Sequence, residues 1–526
     1  MRPIQNPIAS LPLTGILPTP PPPSTAARPP VSTDSLEVSS SPSTRINNIS
    51  GDRGLDEIRQ RLLTFRQRVL RGEPIPDAEM TGYQKTTFNN KATLYLDRDY
   101  FTEGVFPAIT HADTSIHIAM RTFDGTRVGK YTADLLIKKK LQNPGIEIRV
   151  LTDNVGSNNF LPWSAAGKNI RRMRAAGIEV ELVNFFTEGL EHRKSVIIDS
   201  KLAFVGGTCF SDRYFGNKLY WKAFDKTQKE QGLEAAQGGA FLPKARRLPN
   251  FKIEPSMMIP ANADFGVSFE GAAVLDLQAG FLQSWLKQGQ PLNPELNDAR
   301  FLEKYFSPPP PTGTTPVKAN HGIPWGPSEM KQTILSIIEG ASTTLEMEIA
   351  YLHVPRFTEA LVSAAARGVR VRLISNSQAG IDAEGKWHIN RQFYDRLLAG
   401  GVEIYELPTF THRKLMVADN RIVFISSGNP EWHSWHRAWD EMLLIDSPKL
   451  AEDIEKRVFA HGFSPPYGQK VTRESLTNET LLTRLKTATI VSFYNLVIRF
   501  YLWATRVSNL RTESRNYVNP SPAVTS

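Results

Sequence analysis

From Lys91 onward, apolar and polar residues alternate between two periods. Runs with period two predict strands at Thr93–Leu96, Ser115–Met120, Ile146–Leu151 and Ile178–Val183. Between them, three- and four-residue spacing predicts helices over 98–112, 127–141 and 164–176. The order then recurs: a helix over 327–340, a strand Thr344–Ile349, a helix Arg356–Arg367, a strand Val369–Ile374, a helix over 387–399 and a strand Val402–Leu407. Gly177-Ile-Glu-Val and Gly401-Val-Glu-Ile hold equivalent places, as do Gly145-Ile-Glu-Ile and Gly368-Val-Arg-Val. The pattern is an α/β alternation that has been duplicated.

The same patterning sets the outer boundaries. Residues 1–50 are rich in Pro, Ser and Thr and read as a disordered arm, because their apolar content cannot offset the entropy of ordering. Leu55, Ile58, Leu62, Leu63, Phe65, Val69 and Leu70 predict an amphipathic helix in a lead-in over 51–90. The first domain is expected over 91–290, with a weakly patterned insertion at about 216–262. A linker is expected over 291–324, a second domain over 325–465 and a basic, aromatic-rich helical tail over 466–526.

Each half ends on the same short stretch. Residues 192–199 read His-Arg-Lys-Ser-Val-Ile-Ile-Asp, and residues 412–419 read His-Arg-Lys-Leu-Met-Val-Ala-Asp. On a strand, residues two apart share a face, so His192 projects with Lys194 and His412 with Lys414. Asp199 and Asp419 have the opposite parity and sit at a turn, where a carboxylate accepts local backbone donors. Two imidazoles beside two ammonium groups suit phosphodiester chemistry. One neutral His attacks phosphorus, the other protonates the leaving oxygen, and the lysines hold the non-bridging oxygens. A metal centre fits poorly, since each Lys repels a divalent cation and no carboxylate shares the His face; no cofactor is implied.

Composition narrows the partners. Hydrophobic content of 40% with 22% charged residues is that of a globular protein. The net charge of +9 favours anionic partners. The tail contributes eight Lys/Arg against three Asp/Glu. Its residues 487–504 interleave Phe, Tyr and Trp with Arg499, so the segment is expected either to dock on the core or to lie on an anionic membrane surface. A single cysteine, Cys209, excludes an intramolecular disulfide and a multi-thiolate metal site. No run of 18 apolar residues predicts a membrane span, and the first thirty residues lack the apolar core of a cleaved signal.

The motifs resemble those of the phospholipase D superfamily, His-x-Lys-x4-Asp followed by Gly-Ser/Gly-x-Asn. The closest resemblance is to its cardiolipin synthase and bacterial phospholipase D branch. Arg193 and Arg413, Phe204–Gly207, Ala350–Pro355, Ala364–Arg372 and Phe265–Trp285 carry it, over about two thirds of the chain. The resemblance implies two α/β/α domains packed as a pseudo-two-fold pair in one chain, a monomer with one site between its halves. The implied catalysis needs no metal and passes through a phosphohistidine on His192, with His412 as acid. It counts Asp199 and Asp419 in the catalytic motif and gives Gly207, Ser427 and Asn429 supporting places. A carboxylate downstream of each motif would orient the histidine: Glu441 in the second half, Asp264 in the first. Cys209 and Ser426 depart from the pattern. The twin membrane segments of many relatives in the branch are missing, so attachment is expected to be peripheral.

The expected function is phospholipid cleavage or phosphatidyl transfer, on anionic or zwitterionic lipid. The expected setting is the bacterial cytoplasmic membrane face or, given the Pro/Ser-rich arm, a secreted effector. A nuclease would use the same chemistry, but family nucleases often carry one motif per chain and dimerise, which argues against nucleic acid. A catalytically impaired lipid-binding protein is the third reading, motivated by Cys209 and Ser426.

Overall fold

Each half folds around one antiparallel pair of strands that carries its motif, Lys194–Ile198 with Leu202–Gly206 and Lys414–Ala418 with Ile422–Ser426. The computed structural model describes residues 51–75, 79–80, 85–157, 163–185, 188–216, 222, 262–324 and 329–504, all of them within one compact unit. The disordered-arm reading of 1–50, nearly all of the insertion at 216–262 and the end of the tail lie outside these residues.

The strands of both halves join in one sheet. From the centre outward, the first half runs Lys85–Leu96, Phe265–Glu270, Leu202–Gly206, Lys194–Ile198, Ser115–Met120, Glu147–Asp153, Glu179–Val183. The second half runs Thr315–Gly322, Ala438–Asp446, Ile422–Ser426, Lys414–Ala418, Thr344–Ile349, Arg370–Asn376, Glu403–Leu407, with Gln469–Val471 added at its edge. The two orders match strand for strand. The two central strands pair antiparallel with each other, as a two-fold relation requires. Helices between the parallel strands cover the sheet, giving the duplicated α/β order expected from the alternation and the α/β/α architecture implied by the resemblance.

The centre of the sheet corrects the expected linker. Residues 291–324 contain a helix, Asp298–Phe306, and the strand Thr315–Gly322, which bonds to Lys85–Leu96 on one side and Ala438–Asp446 on the other. Pro308–Pro311 and Pro316 masked this strand, because proline removes ladder donors and signals loops. The lead-in is likewise only part helix. Gly51–Leu70 is helical and Lys85 already begins a strand. The helix expected over 387–399 is two, Glu384–Arg391 and Tyr394–Ala399.

Beneath the junction lies Ala273–Lys287, a helix apolar nearly all round and buried over almost its whole length, as such a helix must be. Its Gly280 is where the packing is tightest. A Cβ there would meet the His321 ring at 2.2 Å, and the Gly280 carbonyl accepts from Arg193 Nη1 at 3.3 Å. The helix thus backs the first motif.

Candidate active site

Both motifs are held by an exchange between the halves. Just before His192, Leu190–Glu191 pairs in parallel with Ala438–Trp439 of the other half, and the His192 amide donates to the Trp439 carbonyl at 2.9 Å. In mirror fashion Thr411 bridges Ala263, and the His412 amide donates to the Ala263 carbonyl at 2.8 Å. The next residue in each partner segment is an aspartate. That backbone seat delivers Asp440 to His192 and Asp264 to His412.

The side chains complete the exchange. His192 Nδ1 lies 2.8 Å from Asp440 Oδ1, and His412 Nδ1 lies 2.8 Å from Asp264 Oδ2. Both aspartates are fully buried. With each carboxylate accepting from Nδ1–H, Nε2 carries the lone pair. The orienting carboxylate of each histidine therefore comes from the opposite half.

This corrects the place given to Glu441. Its Oε1 accepts from Ser195 Oγ at 3.2 Å, and its charge is answered by Arg193. Neighbours on a strand face opposite sides, so Asp440 and Glu441 cannot share a task. Asp264 is the first-half carboxylate, but it serves the second-half histidine. Ser427 donates to Asp440 Oδ1 at 2.6 Å and so steadies the His192 pair. Gly207 sits at the matching position of the first half, where a Cβ would meet Asp264 Oδ1 at 2.1 Å. Glycine there leaves room for the carboxylate.

Asn429 donates from Nδ2 to Glu431 Oε1 at 3.3 Å, and Glu431 in turn lies 3.5 Å from His353. Cys209 is buried and shares a hydrogen bond with Tyr214, whose hydroxyl stands 3.5 Å from His412 Nδ1. Ser426 Oγ accepts from the Gly428 amide and donates to the Glu441 carbonyl, so this departure is absorbed into the turn.

Electrostatics brings the two motifs into one site. Burial, then the ammonium of Lys194, the guanidinium of Arg121 and the ammonium of Lys414, hold His192 well below the usual histidine range. Burial, Lys414 and Lys194 do the same to His412. Each imidazole thus feels the lysine of the other half, and both are neutral at neutral pH. Lys194 also reaches across to the Ser427 carbonyl at 3.4 Å. Burial lowers Lys414 to about 7, against the pull of Asp264. It raises Asp264 to about 7 and Asp440 to about 6, opposed by Lys414 and Lys194 respectively.

Sequence reading missed Asp440, Tyr214 and Arg121. Arg121 follows the strand Ser115–Met120 and its amide donates to the Arg193 carbonyl at 2.8 Å. Its guanidinium is paired with the buried Asp153. The twin of Arg121 in the second half is Ala350, so the repeat gave no signal for it. Among the described residues, no group of three or more His, Cys, Asp or Glu is placed to hold a metal ion.

Asp199 and Asp419 stand apart from the reacting face. Asp199 accepts from the amides of Asp113, Thr114 and Ser115 and from Thr114 Oγ1, at 2.7–3.2 Å. Asp419 does the same with Ser342, Thr343 and Thr344. Both residues have positive φ, 53°. Their place in the catalytic motif is therefore structural: they tie the hairpin turn to the start of the neighbouring strand. Burial pushes the Asp199 carboxyl up, but these donors outweigh it and leave it below the usual range. A depressed folded-state pKa stabilises above about pH 4 and is lost as pH falls through the folded value. Asp199→Ala is expected to cost about 2–4 kcal/mol, from the lost charged hydrogen bonds and the strain of alanine at positive φ. Denaturant titration at pH 7 and pH 3 checks it: the difference from wild type should shrink at pH 3.

The chain is similar to known proteins in sequence and in fold. A family model described as "Cardiolipin synthase, PLD-like domain" matches residues 105–224 and 334–461. The cardiolipin synthase of Clostridium perfringens (strain SM101 / Type A) is 25% identical over 416 residues, covering 76% of this chain and 75% of that one. Cardiolipin synthase 1 of Staphylococcus aureus (strain COL) is 25% identical over 414 residues, covering 76% and 72%. The crystal structure of phosphatidylserine synthase from Haemophilus influenzae Rd KW20 shares the fold, with a TM-score of 0.55 at 13% identity over 78% of this chain and 93% of that one. With its crossed His–Asp pairs and duplicated sheet, the chain belongs to the phospholipase D superfamily. Within it, the chain falls on the cardiolipin synthase branch and is an enzyme of the phosphatidyltransferase kind.

Proposed function

We propose that the enzyme moves a phosphatidyl group from phosphatidylglycerol to the free hydroxyl of a second phosphatidylglycerol, without a metal, through a covalent phosphohistidine. The observation that carries the reading is the pair of neutral, carboxylate-backed imidazoles that share two lysines. His192 Nε2 attacks phosphorus, forming a P–N bond as the P–O bond to the departing glycerol breaks. His412 gives its Nε2 proton to that oxygen. The acceptor hydroxyl then returns a proton to His412 Nε2 and attacks phosphorus, and the P–N bond breaks. Phosphate oxygens bound by Lys194 and Lys414 offset the charges that depress His412, which favours its protonated form only when substrate is present. Purified protein on phosphatidylglycerol vesicles should yield cardiolipin and glycerol. Phosphatidic acid alone would assign a hydrolase, and no lipid product would overturn the reading.

Attachment is proposed through the helix Leu481–Ala504. Thr487 bonds to His388 Nδ1 at 2.7 Å, Tyr494 packs edge-on to His353 and Ile498 is buried, so one face is docked. The other presents Leu481, Leu482, Leu485, Phe493, Leu496 and Val497 to solvent. Arg484 and Arg499 flank that stripe. An exposed apolar stripe edged by cations fits an anionic bilayer surface. Among the described residues no helix is long and apolar enough to cross a membrane. Leu482, Leu485, Phe493 and Leu496 changed together to Ser should weaken binding to phosphatidylglycerol vesicles about a hundredfold in a sedimentation assay. Undiminished binding would refute the attachment. Export as an effector rests on the composition of residues 1–50 alone, and we place the enzyme at the membrane surface.

A further inference from the structure

Beside His412 lies a small buried cluster of rings, Phe410 and Tyr351, with the ammonium of Lys386 at its edge. Phe410 lies 5.8 Å from the His412 ring between centroids, and Tyr351 lies 6.4 Å from Phe410. Lys386 Nζ rests 3.8 Å over the Tyr351 ring and 3.7 Å from Asp382 Oδ2, while Asp382 Oδ1 accepts from Tyr351 O–H at 2.7 Å. The Lys386 side chain is 38% exposed, so its ammonium remains within reach of solvent. Its charge reaches both His412 and Glu431.

The first half supplies a contrast. There the extra cation is Arg121, locked to a carboxylate, Asp153, that is fully buried. Asp153 is matched in the second half by Asn376, which accepts from the Thr411 amide at 2.7 Å and donates to the Thr411 carbonyl at 2.9 Å. Where the first half has Arg121, after a strand, the second has Ala350, and a half-exposed ammonium is supplied instead by Lys386 on the helix Glu384–Arg391.

We infer that Lys386, seated on Tyr351 and Asp382, is an anion subsite for the phosphate that the acceptor lipid brings with it, separate from the lysines that hold the reacting phosphate. Two lipids that each carry a phosphodiester must both reach one site. The acceptor's hydroxyl approaches on the His412 side, because His412 takes its proton, and its phosphate trails by the length of a glycerol. A cation set back from His412 answers that second charge. Water and small neutral alcohols have no such group to offer. The inference rests on the proposed transfer reaction.

The test compares two acceptors with phosphatidylglycerol as the donor: a second phosphatidylglycerol, read as cardiolipin, and ethanol, read as phosphatidylethanol. Lys386→Met should lower the ratio of cardiolipin to phosphatidylethanol about tenfold, the size of one charge-assisted contact at a partly exposed site. The loss should appear in KM for the lipid acceptor, and Lys386→Arg should restore the ratio. Thermal melts of both variants confirm that the short helix Glu384–Arg391 is intact. Equal loss with both acceptors, or an unchanged ratio, would overturn the subsite while leaving the transferase reading in place. A wild-type enzyme that forms neither product would overturn both.

Discussion

Replacing His192 or His412 with alanine is expected to lower turnover by about 10²–10⁴-fold while leaving the fold intact. His192 is buried and His412 nearly so, but neither ring is expected to do much for stability. Each ring bonds an aspartate, His412 also standing 3.5 Å from the Tyr214 hydroxyl, and the backbone link of His192 to Trp439, and of His412 to Ala263, survives truncation. The two losses should not add in the double mutant, because the histidines act on one phosphorus and removing either stops the cycle. The informative measurement is a single-turnover assay on labelled lipid, quenched into denaturant at alkaline pH so that the P–N bond survives. His412→Ala should still trap label on the protein when the leaving group is a good one, such as a nitrophenol ester, since such a group departs without a proton. His192→Ala should trap none. Label on His192→Ala but not on His412→Ala would exchange the two roles, and more than a few per cent of activity in both single mutants would end the two-histidine mechanism.

The order of elements was legible because periods of two and of 3.6 residues recur in the same sequence in both halves. Ser115–Met120 and Thr344–Ile349 fall where the alternation put them, residue for residue. The central strand Thr315–Gly322 was hidden because its burial comes from neighbours on both sides rather than from its own pattern, and proline announces it. The reacting face was legible for a local reason. His and Lys two apart must project together on a strand, and the same geometry consigned Asp199 and Asp419 to a turn. What sequence could not show is the crossing of carboxylates between halves, since that depends on which backbone each pre-histidine segment bonds to. Arg121 and Lys386 escaped for a related reason. The duplication highlights what the halves share, and these two cations are where the halves differ.

The crossing makes a sharp prediction about the adjacent pair Asp440 and Glu441. Asp440→Asn should lower kcat by up to about 10⁴-fold, the cost of losing the carboxylate behind a catalytic histidine. Glu441→Gln should keep activity to within about tenfold. Asp440 Oδ1 takes both the His192 Nδ1–H and the Ser427 hydroxyl, so an amide there either turns its NH₂ toward Nδ1 or keeps its oxygen and loses the charge. The first outcome shifts the ring proton to Nε2 and removes the attacking lone pair. The second leaves the imidazolium-like product of attack without a counter-charge. Glu441 meets neither demand: Gln keeps an oxygen for the Ser195 hydroxyl, and Arg193 retains Glu191 at 2.6 Å. Asp264→Asn should match Asp440→Asn in size but act through His412, so its defect should be smaller for substrates whose leaving group needs no proton. If Glu441→Gln proves the more damaging of the neighbours, with melting temperature unchanged, the carboxylate behind His192 has been misassigned and the crossed arrangement falls with it.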